Sequence, residues 1–115
     1  MSIRTYDRIE AQALIPFFQS IAFEVTERRS ALRKLEASNL GAAPESDESI
    51  QNQADAANHR KEVRLALREI TRLGCIITRE FPLRVIIPGP GGEADGYFWN
   101  TGESVVEPCA AESAA

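Results

Sequence analysis

Two stretches of this chain carry side chains in alternating steps of three and four, and that spacing is the strongest constraint on its fold. In the first, Phe18, Ile21, Val25, Arg28, Leu32 and Leu35 share one seam, and in the second Ala56, His59, Val63, Ala66, Ile70 and Leu73 do. Such a stripe belongs to a helix that buries one face against another helix, as in a coiled coil. The ends carry matching signals. Asp7 with Glu10 three positions on has capping-box spacing, and Asn39-Leu40-Gly41 is a helix stop. Ser46 caps the second segment ahead of Asp47 and Glu48, and Gly74 ends it. The expected helices therefore cover about 7–38 and about 47–73, joined by a polar linker over 39–46. Pro16 removes one helical hydrogen bond and clashes with the preceding turn, so a kink is expected there, or first turns offset from the rest.

So short a linker requires antiparallel helices, and facing residues then have position numbers with a nearly constant sum. Leu14 with Leu73, Phe18 with Ile70, Ile21 with Ala66, Val25 with Val63 and Leu32 with Ala56 all sum to 87 or 88. The same register sets Arg28 opposite His59, so the polar interruptions of both seams fall in one layer.

After Gly74 the period changes. "CIITREFPLRVIIPG" has β-branched runs at 76–78 and 85–87 broken by Phe81-Pro82, which reads as two strands and a turn. "PGPGGEADG" reads as a long Gly-rich connection, "YFW" as a third strand, "NTGE" as a turn with Gly102 at positive φ, and "SVVE" as a short fourth strand. The expected fold is α+β: a long antiparallel two-helix hairpin followed by a small antiparallel β-meander over about 75–107. Residues 1–108 form one domain in this reading, and 109–115 a flexible tail.

The 115 residues suffice for one modest core, and a second domain is not expected. With 13 basic and 17 acidic side chains the net charge is −4, which repels a phosphate backbone, so nucleic acid is not an expected partner. No stretch approaches the ~18 apolar residues of a membrane span. Two cysteines make no disulfide framework, and with His59 as the single histidine they make no metal-ligand set. A cytoplasmic protein without cofactor or metal is expected.

The stretches "EAQALIP" at 10–16, "LGCIITREFPLRVIIP" at 73–88 and "WNTGE" at 99–103 resemble a small uncharacterised prokaryotic family, domain of unknown function 2203. The resemblance spans most of the chain except the linker and tail, and implies a helical hairpin followed by a short β-meander. It implies no activity. Where that family commonly carries Asp-Phe before the proline this chain has Ile86-Ile87, and where it often ends in Trp-His this chain has Cys109-Ala110. If those positions bind something in relatives, this chain has lost part of the site.

The most site-like residues are Trp99, Gly102 and Glu103. A carboxylate on a rigid turn beside an aromatic wall is an arrangement suited to a cation or polar ligand. The plainer reading is that Trp99 caps the core while Glu103 meets solvent or an arginine. His59 with Arg28 has two readings as well: a titrating acid, base or ligand, or a polar layer that fixes the helical register, the latter favoured because no second histidine or carboxylate pair stands beside it. Arg60, Arg64, Arg68 and Arg72 form a basic row along the second helix that is suited to an acidic partner, unless Glu24, Glu27, Glu62 and Glu69 neutralise it as a solvated face. Cys75 reads as a small buried hydrophobe.

No complete acid/base, nucleophile or metal set is present, so the function expected is that of a non-catalytic interaction or scaffold protein acting through the hairpin. The alternative is ligand or metal binding, with or without catalysis, at the Trp99–Glu103 turn. Ile15, Phe17, Leu65 and Leu67 lie off the facing stripe at the sheet end of the hairpin, and a homodimer joined through that end is the expected way to cover them, alongside a possible protein partner.

Overall fold

The computed structural model describes residues 4–109, apart from the side chain of Ala94. Three helices, α1 (Arg8–Ala13), α2 (Ile15–Asn39) and α3 (Asp47–Arg72), precede four strands, β1 (Ile76–Glu80), β2 (Leu83–Gly89), β3 (Gly92–Asn100) and β4 (Glu107–Pro108). The strands form one antiparallel sheet in the order β1-β2-β3-β4. This is the α+β hairpin and meander that the patterning predicts.

The helix starts follow their capping residues. Asp7 accepts from the Glu10 amide at 2.8 Å while Glu10 accepts from the Asp7 amide at 3.0 Å, so two orphan donors are satisfied reciprocally. Ser46 accepts from the Ser49 amide at 3.1 Å and opens α3. Pro16 resolves the two options for the first helix. The helix breaks at Leu14, and Pro16 falls in the first turn of α2, where its missing N–H removes no helical bond.

The hairpin closes in the expected register at its polar layer, where Arg28 Nη1 lies 3.1 Å from His59 Nδ1. At the sheet end the helices and the inner sheet face share one core. Phe18, Val25 and Ile70 meet Leu83, Val85, Ile87 and Trp99, all at 2% exposure or less. β2 alternates Leu83, Val85 and Ile87 inward with Arg84 and Ile86 outward, the period of a sheet packed on one side. The register lines up Ile76, Ile86 and Phe98 across the outer face, all half-buried.

Four expectations change. "PGPGGEADG" is no long connection: β2 runs to Gly89 and β3 starts at Gly92. The glycines permit this close approach, since a Cβ at Gly96 would meet the Ile87 carbonyl and one at Gly89 the Asp95 carbonyl. The fourth strand is Glu107–Pro108 rather than "SVVE", of which Val106 is buried and Val105 exposed. Cys109 is buried rather than part of a loose tail, and residues 110–115 lie outside the described residues. Finally, the sheet covers most of the apolar patch assigned to a dimer. Ile15 and Leu67 are buried and Phe17 half-buried within one chain, leaving Leu65 exposed.

What stays uncovered is the other end of the hairpin. From residue 26 to residue 60 only Ser49 and Ala56 are buried, so both helices run out from the sheet as an arm. The long dimension is 55 Å against 33 and 21 Å across.

Candidate functional site

The turn after β3 is built from backbone bonds. Gly102 takes φ 93°, a left-handed conformation that a Cβ would strain. The Glu103 amide donates to the Asn100 carbonyl at 3.0 Å, and Thr101 donates through both its amide and its hydroxyl to the Leu83 carbonyl, at 3.0 and 2.8 Å. Trp99 is fully buried and packs on Phe18 with ring centroids 5.7 Å apart. Its indole N–H donates to the backbone carbonyl of Glu103 at 2.8 Å. Trp99 and Glu103 are thus brought together, but through the backbone of Glu103, while that residue is exposed. The packing reading describes this turn; the arrangement of a carboxylate facing an aromatic wall is not the contact formed.

Beside the turn, however, α2 and β3 leave an apolar groove of about 280 Å³ that bottoms on Trp99 and is bordered by Ala22, Phe23, Thr26 and Gly102. Phe23 is 68% exposed at its rim. No sequence pattern singled out Phe23, because its position falls off the hairpin seam and reads as solvent-facing.

Arg28 and His59 meet as the register predicts. Arg28 also has Nε 3.8 Å from a Glu24 oxygen, and that Nε is buried without a hydrogen-bond partner within the described residues. The guanidinium can only donate, so Nδ1 is the acceptor in this contact. It is a part-buried polar bridge in the seam, flanked by the Glu24 carboxylate.

The basic row divides into two kinds. Arg60 pairs with Glu36 at 3.9 Å and Arg72 with Glu69 at 3.3 Å, both well exposed. Arg64 and Arg68 make no ion pair within the described residues. Neither Glu27 nor Glu62 neutralises the row.

Two anchoring side chains carried no sequence signal. Gln12 donates to the Ser104 carbonyl at 2.7 Å and accepts from the Val106 amide at 3.1 Å, fastening the β3–β4 segment to α1. The Tyr6 hydroxyl donates to the Leu73 carbonyl at 2.6 Å and its amide donates to the Pro88 carbonyl at 2.9 Å. Both contacts join residues far apart in sequence, which local patterns do not encode.

Burial raises the Cys75 thiol to about 11, partly opposed by Arg4, so the thiol stays protonated near neutrality and is no activated nucleophile. Burial also raises the Tyr6 phenol. Among the described residues no group of three or more His, Cys, Asp or Glu side chains is placed to hold a metal, and no helix is long and apolar enough to cross a membrane. Comparison with protein-family models, with curated proteins and with solved structures gave no match.

Proposed function

We propose that this is a non-catalytic interaction protein whose working surface is the helical arm, and that it associates as a homodimer through that arm. The single observation behind this reading is the thin burial from residue 26 to residue 60. Ordering a residue costs about 1–2 kcal/mol of backbone entropy, and an isolated helical pair with so narrow a seam recovers little of it by burial. Two further features support it. The seam lies open in a groove of about 270 Å³ floored by Leu35 and Ala56, and Ile50, one turn from the lining residue Gln53, is 57% exposed. The rim carries Glu36 and Arg60, opposite charges suited to a two-fold contact in which the same surface meets itself. A second arm laid on this face would complete a four-helix bundle. A cytoplasmic location fits the two free cysteines. Membership of the domain of unknown function 2203 family is proposed on the same footing, supported by the hairpin followed by a meander.

Sedimentation equilibrium tests the reading. Wild type is expected to be dimeric at micromolar concentration and Ile50→Glu monomeric, with helical content unchanged. A monomeric wild type, or a dimer indifferent to this charge, would refute it.

A second reading is favoured by the Phe23 groove: a small apolar ligand seated against Trp99. Titration of a hydrophobic dye should quench Trp99 fluorescence in wild type and not in Phe23→Ser.

A further inference from the structure

We propose that the channel between β1 and the last turns of α3 is a docking groove for an extended acidic segment of another protein, which joins the sheet as a strand beside β1. The proposal rests on the reading of the chain as an interaction protein, but on a surface separate from the arm.

β1 is an edge strand: it pairs with β2, and among the described residues no strand pairs with its other side. In a strand of this kind alternate N–H and C=O groups point outward, a ready template for another chain. Edges are ordinarily blunted, and here the blunting is partial. The register shift between Ile77 and Arg79, which leaves Thr78 without a register partner on β2, and the charges of Arg79 and Glu80 disturb the second half of β1, while Ile76 and Ile77 stay regular. Along this edge lies a groove of about 460 Å³, walled by Leu67, Arg68 and Thr71 of α3 on one side and by all of β1 on the other. A groove between an edge strand and a helix is the geometry in which peptides are recognised by strand addition: backbone bonds supply affinity and alternate side chains supply selectivity.

The side chains define the occupant. Leu67 and Ile77 give the groove an apolar floor, suited to apolar residues at every second position of an added strand. The charge around it is positive. Arg68 lines the groove and Arg64 stands one turn earlier, both without an ion pair among the described residues. Arg79 uses its Nε to donate to the Pro82 carbonyl at 2.9 Å and is otherwise exposed. Glu80 is the one carboxylate among the residues lining the groove. In a chain of net charge −4 this local excess of cations is complementary to an acidic segment, and the matching backbone groups of β1 select a peptide over a nucleic acid. The complementary pattern alternates apolar residues over Leu67 with carboxylates reaching Arg68 and Arg79.

Fluorescence anisotropy with three labelled seven-residue peptides tests this: one alternating Glu and Val, one alternating Lys and Val, and the Glu/Val peptide N-methylated at every second amide. The Glu/Val peptide is expected to bind saturably and to weaken with salt. N-methylation and Arg68→Glu should each lower its affinity about tenfold, the loss of one charge-assisted or backbone contact set. The Lys/Val peptide should not bind. Arg68 is exposed, and circular dichroism of the variant confirms that the fold is kept. Ile50→Glu, which challenges the arm, should leave peptide binding unchanged, so the two readings fail separately. No saturable binding, equal binding of the N-methylated or Lys/Val peptide, or equal binding of an oligothymidylate would overturn the proposal. So would self-association abolished by Arg68→Glu, since the occupant would then be a second copy.

Discussion

Trp99 and Glu103 separate a structural turn from a binding turn, and a pair of substitutions distinguishes them. In Trp99→Phe the indole N–H that donates to the Glu103 carbonyl at 2.8 Å is lost, and so is part of a ring that is fully buried against Phe18. The hydrogen bond is worth about 1 kcal/mol, toward the lower end because the carbonyl it leaves belongs to an exposed residue that water can reach. The lost apolar surface, roughly 40 Å², contributes about 1 kcal/mol at 25 cal/mol per Å², and the cavity left behind adds to it. The expected destabilisation is about 2–3 kcal/mol. Glu103→Gln retains the accepting backbone carbonyl and alters only an exposed carboxylate, so its effect should stay within about 0.5 kcal/mol. Urea unfolding followed by far-UV circular dichroism reads both: with a slope of about 1–3 kcal/mol per molar urea, Trp99→Phe should move the midpoint down by about 1–2 M, and Glu103→Gln should leave it in place. A Glu103→Gln variant destabilised as much as Trp99→Phe would refute the reasoning, because the carboxylate would then be holding the turn.

Cysteines at 25 and 63, in a background with Cys75 and Cys109 replaced by Ala, should cross-link within one chain under mild oxidation, as the Arg28–His59 contact requires of the neighbouring layer; linkage only between chains would indicate exchanged helices. Replacing both members of the polar layer, Arg28→Leu with His59→Leu, should be neutral or mildly stabilising in thermal unfolding, since an apolar pair commonly replaces a part-buried polar bridge without loss, whereas His59→Leu alone leaves the Arg28 guanidinium without its imidazole partner and should behave no better than wild type. Gly96→Ala should destabilise by about 1–3 kcal/mol or more, because the added methyl meets the Ile87 carbonyl across the β2–β3 pair; an unchanged melting temperature would show that the two strands are further apart. The folded-state pKa of Cys75 lies above its ordinary 9.0, at about 11, so the neutral thiol favours folding below pH 9 and that contribution is lost as pH rises toward 11. The raised Tyr6 phenol acts in the same direction, and Cys75→Ala should flatten the alkaline fall in melting temperature in part.

How much of this architecture was legible depended on whether the signal was local. The caps at Asp7 and Ser46 and the stops near Gly41 and Gly74 are single-residue chemistry, and the helices begin and end there. The hairpin register was legible because two independent polar interruptions, Arg28 and His59, have to share one layer. The β2–β3 connection was misread because Gly and Pro in "PGPGGEADG" normally mark loops. Here Gly89 and Gly96 let two strands approach closely, a use of glycine that looks the same in sequence. The apolar patch was misassigned to a dimer because periodicity assigns faces to helices and does not say how far a sheet will spread: Ile15 and Leu67 lie under the strands of the same chain. At the turn, the residues Trp99, Gly102 and Glu103 were identified correctly as neighbours, but which atom of Glu103 faces the indole depends on backbone geometry. Gln12 and Phe23 were invisible because each acts through a partner more than seventy residues away.

The arm is the centre of the functional account, and hydrogen exchange measured as a function of protein concentration tests it most directly. Amides of 29–39 and 47–58 should exchange rapidly at nanomolar concentration, where the arm stands alone, and become protected at tens of micromolar as arms pack together, while β2 and β3 keep the same protection throughout. Arm protection that does not change with concentration, in a chain that sediments as a monomer, would contradict the account.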